Sequence, residues 1–207
     1  MDNLYKEVAK HFSNHNNILN NISHDFKHIL RSTKIAKFIA EREGYDIREA
    51  EVACLLHDMG RTVQEESKDH GIAGVPLATK LLDEYTDFDI SAKTRILAAV
   101  RDHCELNVPG VLTHIVQDAD MLDGMGAIGL MRNYISNPNI LDYRPEEIIP
   151  NEFRRGISMH DSMPYQLNYI NLIHTDTGRA IAKNRHDFML RFLEEFNIEA
   201  QSLDLKV

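Results

Sequence analysis

Residues 53–61 read ACLLHDMGR. The apolar run from Ala53 to Leu56 ends in His57 and Asp58, and Gly60 follows two residues later. The run continues a helical pattern that begins near Ile47, with Ala50, Val52, Ala53, Leu55 and Leu56 as its apolar positions. An imidazole beside a carboxylate at the inner end of such a segment has two readings. It is the polar edge where a helix leaves the core, or it is part of a metal site. The choice turns on whether ligand-type side chains stand at the ends of other helices as well.

Outward from this point the chain reads as helix after helix. No long stretch alternates apolar and polar residues, so strands are scarce. A first helix covers residues 3–19, with Leu4, Val8, Phe12 and Leu19 apolar, and Asn20-Asn21 breaks it. Ser23 or Asp25 caps a second helix running to about Arg42. Phe26, Ile29, Leu30, Ile35, Phe38 and Ile39 form its buried side, and Gly44 stops it. The third helix is residues 47–57. Residues 61–69, RTVQEESKD, form a polar loop, and helices follow at about 70–85, 90–103, 111–122 and 124–136. Residues 136–153 hold three of the six prolines and read as a long loop. An amphipathic helix over 174–196 follows it, with Ala180, Ile181, Phe188, Leu190, Phe192 and Leu193 apolar.

Composition narrows the function classes. With 207 residues and 43% hydrophobic content the chain forms one core, and one domain is the expectation. No apolar run is long enough to span a bilayer. The first residues, MDNLYKEVAKHF, lack the apolar region of a signal peptide, and a cytoplasmic location is expected. Two cysteines do not make a disulfide framework, and Cys54 packs as a small hydrophobe. A formal charge of -9 argues against broad nucleic-acid binding, which needs a basic surface. It leaves room for a small phosphorylated substrate, because a bound metal inverts the local field.

Four stretches set ligand-type side chains against apolar helical faces. HDFKHILR holds His24 and His28. LLHDMG holds His57 and Asp58. AVRDHCE ends a helix on His103. HIVQDADMLDGMGAIGLMR holds Asp118, Asp120 and Asp123. Mixed imidazole and carboxylate donors suit Mn, Fe, Co, Ni or Zn. Neighbouring helical residues differ by about 100° in direction, so further ligands must come from other helices. Each stretch alone is weak, and His11 with His15 shows the same i, i+4 spacing on a polar face, where both read as surface residues. Asp118 and Asp120 are either solvated or buried; Ile115, Val116, Leu122 and Ile128 make theirs a core segment, where a carboxylate needs a partner.

Taken in order, His28, His57-Asp58 and Asp120 resemble the H…HD…D pattern of the HD-domain metal-dependent phosphohydrolase superfamily. The opening HDFKHILR and the segment DADMLDGMGAIG are similar to those of HD phosphohydrolases with a DADxLDxxGAIG segment. TDTGRAIAKNRHDFMLRFL resembles the C-terminal helix of that group, so the likeness covers about residues 22–197. It implies an all-α fold, a single HD-type helical domain with its metal site between core helices. The core spans about 22–135, and a helical extension spans about 136–207. It implies His28, His57, Asp58 and Asp120 as ligands of one divalent transition metal, with Asp118 turned away. His70, in HGIAG, and His103 resemble positions that hold a second metal in some members, although Cys104 stands where a second histidine is found there. A second metal is compatible with this set; substrate phosphate is the other role for His70 and His103.

The implied activity is hydrolysis of a phosphoester or phosphoanhydride, with a nucleotide as substrate and a metal-activated water as nucleophile. Asp58, Arg31 and His103 are the catalytic candidates; His70, Arg61, Lys68 and Arg132 are the substrate-binding candidates. Tyr134, Tyr143 and Phe153 are weak candidates for contact with a base. One departure stands out: nucleotide-cleaving relatives place an acidic residue two or three positions after HD, and Gly60 and Arg61 stand there here. Glu65, Glu66 or Asp123 supplies that carboxylate, or it is absent. Its absence keeps a rival reading open, a non-catalytic metal-stabilised module that senses a nucleotide. No membrane partner is expected, and a homodimer is compatible with the sequence.

Overall fold

Three aspartates start three helices in the same way. The carboxylates of Asp25, Asp46 and Asp89 accept backbone N–H groups three residues on, from His28 at 2.8 Å, Glu49 at 2.8 Å and Ala92 at 2.7 Å. Each satisfies a donor that the first turn leaves unpaired and places negative charge at the positive end of the helix dipole. Asp25, one of the two expected caps, thus begins the helix that carries His28. That helix ends at Gly44, whose φ of 69° is the left-handed conformation glycine adopts without a Cβ penalty.

The computed structural model describes residues 1–14, 25–63, 69–136 and 159–205. In chain order the helices are α1 (Asp2–Asn14), α2 (Phe26–Glu43), α3 (Ile47–Leu56), α4 (His70–Tyr85), α5 (Ile90–Asp102), α6 (Val111–Asp123), α7 (Gly126–Ser136), α8 (Met159–Asn168) and α9 (Asp176–Ala200). A 3-10 turn, Met59–Thr62, follows α3. The described residues contain no strand, and the chain is one all-α domain. None of their helices is long and apolar enough to cross a membrane.

The core lies where α2, α3, α5 and α6 meet. Ile29, Ile39, Leu55, Leu56, Ile96, Ile115 and Leu122 are fully buried there. Each such side chain contributes about 1.5–3 kcal/mol relative to an exposed position. α1 closes one side with Leu4 and Val8, and Tyr5 donates from its hydroxyl to Glu51 at 2.8 Å. α4 packs against α5 and the 3-10 turn, and α9 crosses α6 and α7.

Several sequence expectations are corrected. Phe38 is exposed, with the Arg42 guanidinium 5.2 Å from its ring centre, because Ala36, Ile39 and Ala40 take the inward face of α2. Ile128 faces out. On α9, Phe188 and Leu190 are exposed; Gly178, Ala182 and Met189 are the buried residues, so small side chains set the close approach. α8 was not anticipated, since Pro164 and a polar composition mask its helical pattern. The end of the first expected helix, most of the 61–69 loop and the 137–153 loop lie outside the described residues.

Candidate metal centre

His57 caps the C-terminal end of α3, where the apolar run has already entered the core. Its Nδ1 donates to the carbonyl of Cys54 at 2.6 Å. This fixes the tautomer and turns the Nε2 lone pair inward. Burial pushes the imidazole down to about 4, so it is neutral and able to bind a cation. Among the described residues, Nε2 is fully buried without a hydrogen-bond partner. It lies 3.7 Å from Asp58 Oδ2 and 4.0 Å from Asp120 Oδ1.

His28 approaches the same point from α2. Its Nε2 is 3.3 Å from Asp120 Oδ1 and 3.7 Å from Asp58 Oδ2. Ligand atoms about 2.0–2.1 Å from one tetrahedral ion stand about 3.3 Å apart. The observed 3.3–4.0 Å spacings therefore fit a single cation with slight contraction. His28, His57 and Asp120 each offer one atom within a common 4.8 Å. The inward, unpartnered Nε2 of His57 is the observation that a metal ion accounts for: a buried polar atom without a bond is costly. Burial opposes ionisation of Asp120, but His28 and His57 outweigh it and hold the carboxyl below its ordinary range.

Asp58 faces two ways. Oδ2 points toward His28 and His57; Oδ1 accepts from Arg61 Nε at 2.8 Å and lies 3.1 Å from His70 Nε2 and 3.7 Å from His103 Nε2. His70 and His103 are themselves 3.1 Å apart, Nε2 to Nε2, so the pair can hold only one hydrogen between them. Burial opposes protonation of His70, but hydrogen bonding to Asp58 and Cys104 pushes it up to about 9. The Cys104 sulfur lies 3.2 Å from His70 Nε2, and His70, His103 and Cys104 form a second group able to surround an ion.

Other sequence candidates fall elsewhere. Arg31 and Arg132 both bind Asp123: Arg31 gives Nε to Oδ1 at 2.7 Å and a second bond to Oδ2 at 2.9 Å, and Arg132 bonds Oδ2 at 2.9 Å. Lys68, Glu65 and Glu66 lie outside the described residues, as do His15, His24, Tyr143 and Phe153. Tyr134 is on α7, and its side chain is outside them too. Asp118 is buried and turned away from Asp120; it accepts from the backbone of His174 and Thr175, each at 2.8 Å, and from the Thr175 hydroxyl at 2.6 Å. It ties α6 to the start of α9.

Two features escaped the sequence reading. Asp123 accepts from His28 Nδ1 at 2.7 Å, orienting the ring. The repeated Asp-x-x at 120 and 123 on one helix was the available signal, since i and i+3 share a face. Gly60 is the second. A Cβ there would come within 1.8 Å of the His70 carbonyl oxygen, so the 3-10 turn and α4 touch backbone to backbone. No carboxylate side chain fits at position 60.

The HD domain family model matches residues 25–125. The chain is 26% identical over 187 residues to the uncharacterized protein YpgQ of Bacillus subtilis (strain 168), covering 87% of this chain and 86% of YpgQ. A solved structure of a predicted HD superfamily hydrolase from an uncultured Thermotogales bacterium superposes with a TM-score of 0.70 at 26% identity. That likeness covers 96% of this chain and 92% of the other. Bacillus subtilis YpgQ in complex with ADP gives a TM-score of 0.70 at 22% identity, over 96% and 93% of the two chains. Residues 25–125 of this chain thus match the HD domain family model, and the chain shares its helical fold with solved HD superfamily proteins.

Proposed function

We propose that this protein is a metal-dependent phosphohydrolase that cleaves a phosphoester or phosphoanhydride bond of a nucleotide, of the HD group with a DADxLDxxGAIG segment. The observation that carries the reading is His57 Nε2, buried and unpartnered among the described residues, opposite the carboxylates of Asp58 and Asp120. His28, His57, Asp58 and Asp120 are the residues that hold a divalent transition ion, one of Mn, Fe, Co, Ni or Zn. When bound there, such an ion supplies a water of lowered pKa and polarises a phosphoryl oxygen.

The chain's own groups do the rest. Asp58 stands 3.7 Å from both imidazoles and accepts the proton of the attacking water. Arg61, His70 and His103 gather around its other oxygen and present donors to phosphoryl oxygens. Asp123 holds no proton for the reaction; with its oxygens given to His28, Arg31 and Arg132, it positions His28. The acidic residue found after HD in nucleotide-cleaving relatives has no counterpart at Gly60. The alternative role for His70 and His103 is to hold, with Cys104, a second and softer cation instead, the thiol favouring Zn over Mn. Nucleotide as the substrate class draws support from the ADP complex of YpgQ, a protein that shares this fold.

The test is phosphate release from a panel of nucleotides with each of these metals added, using the full chain. Turnover that His57→Ala and Asp58→Ala each reduce by at least about 100-fold is expected. Turnover that survives both changes overturns the mechanism. Tight nucleotide binding without turnover on any metal favours a sensor instead.

A further inference from the structure

Asp123 sits at the last position of α6 and is saturated. Oδ1 accepts from Arg31; Oδ2 accepts from Arg31, Arg132 and His28. Next to it, Arg185 reaches in from α9 and donates to the carbonyl of Leu122. Its stem passes over Gly126, whose φ is 71° and where a Cβ would come within 3.2 Å of Arg185 Cγ. Among the described residues Arg185 has this carbonyl but no carboxylate as partner. Burial and the charge of Arg31 depress its pKa, while Asp123 opposes them only in part.

Arg31 from α2 and Arg132 from α7 thus share one carboxylate, and Arg185 from α9 stands beside it on the neighbouring carbonyl, in a chain whose net charge is -9. A half-buried cation with only a neutral partner is costly, and an anion relieves that cost. Planar guanidinium forks match phosphate oxygens in pairs, which lysine does not reproduce. The cluster is one imidazole ring from the metal ligands: Asp123 bonds His28 Nδ1, and the Nε2 of the same ring faces Asp120.

We propose that Arg185, together with Arg31 and Arg132, forms an anion subsite that takes a phosphate group of a polyphosphate-bearing substrate, distinct from the phosphate held over the His28–His57–Asp58–Asp120 cluster. The identity of the anion as part of a substrate rests on the phosphohydrolase reading; the subsite itself rests on the arginine geometry. Arg185 belongs to the helix beyond residues 25–125, so substrate selection draws on the C-terminal part of the chain.

Inorganic tripolyphosphate is the probe, titrated calorimetrically into the full chain after chelator treatment. Saturable binding is expected, weakened at least about tenfold in Arg185→Gln, with a melting curve confirming that the variant folds. Should Arg185→Gln not fold, Arg185→Lys replaces it; its ammonium keeps a charge but loses the fork, and a loss of about threefold or more is expected. With metal restored, Arg185→Gln should raise KM for nucleoside triphosphates far more than for monophosphates, at unchanged bound metal. Arg185-dependent tripolyphosphate binding without turnover of any nucleotide keeps the subsite and overturns the hydrolase reading. No tripolyphosphate binding by the wild type, or binding that the Arg185 variants leave unchanged, overturns the subsite.

Discussion

Asp123 and His28, 95 positions apart, share a buried hydrogen bond of 2.7 Å between Oδ2 and Nδ1. The bond fixes which face of the imidazole meets Asp58 and Asp120. It also places two arginines behind the ring, so burial of the Asp123 carboxyl is outweighed by His28, Arg31 and Arg132 and its pKa falls to about 2.

Asp123→Asn should therefore weaken metal binding by about 10–100-fold, the usual cost of losing a group that orients a ligand histidine. It should also lower stability by about 3 kcal/mol, since Arg31 and Arg132 lose a buried counter-charge. Metal titration and urea unfolding of the same sample separate the two effects. A variant with wild-type metal affinity removes Asp123 from the site.

Gly60→Ala should destabilise the protein by about 2–3 kcal/mol, because the new methyl meets the His70 backbone oxygen rather than a movable side chain. Gly60→Glu should be worse and should not raise activity. Thermal unfolding decides; a Gly60→Glu protein that folds normally would show that the turn and α4 separate easily.

Asp118→Ala should cost about 2 kcal/mol by leaving the His174 and Thr175 N–H groups without their acceptor at the start of α9. Metal content should not change. Asp120→Ala should do the reverse, abolishing metal binding, and equal loss of metal in both variants would contradict the division of roles between these two residues.

Removing metal with a chelator should lower the melting temperature, and adding back Mn, Co or Zn should restore it. A metal held at a hundredfold above its Kd contributes about 2.7 kcal/mol. A melting curve indifferent to chelator and to each metal would argue against the His28–His57–Asp58–Asp120 cluster as a cation site.

Tyr5 supplies a pH signature outside the His28–His57–Asp58–Asp120 cluster. Burial, then its hydrogen bond to Glu51, raise the phenol above its ordinary value near 10. The unfolded chain then loses this proton first, so the stability contributed by the neutral phenol is complete below pH 10 and declines as pH rises above it. Tyr5→Phe should unfold with a shallower alkaline slope than the wild type. Parallel slopes in denaturant titrations between pH 9 and 11 would rule out this linkage.

Most helix starts were legible because they depend on nearest neighbours. Asp25 caps, Gly44 stops, and the apolar periodicity of residues 47–57 needs no distant partner. The ordered set His28, His57, Asp58 and Asp120 was likewise visible as residue types at helix ends. What each polar group does was not visible, because that depends on which helices meet. Asp118 and Asp120 are two residues apart, yet one ties down α9 and the other faces the histidines, since a helix turns about 200° over that interval. Phe38 and Phe188 looked like core residues and are exposed, because smaller neighbours set the helix spacing. Position 60 was read in the sequence as a missing carboxylate. The tertiary structure gives the physical reason for glycine: the backbone of α4 occupies the space that any side chain would need.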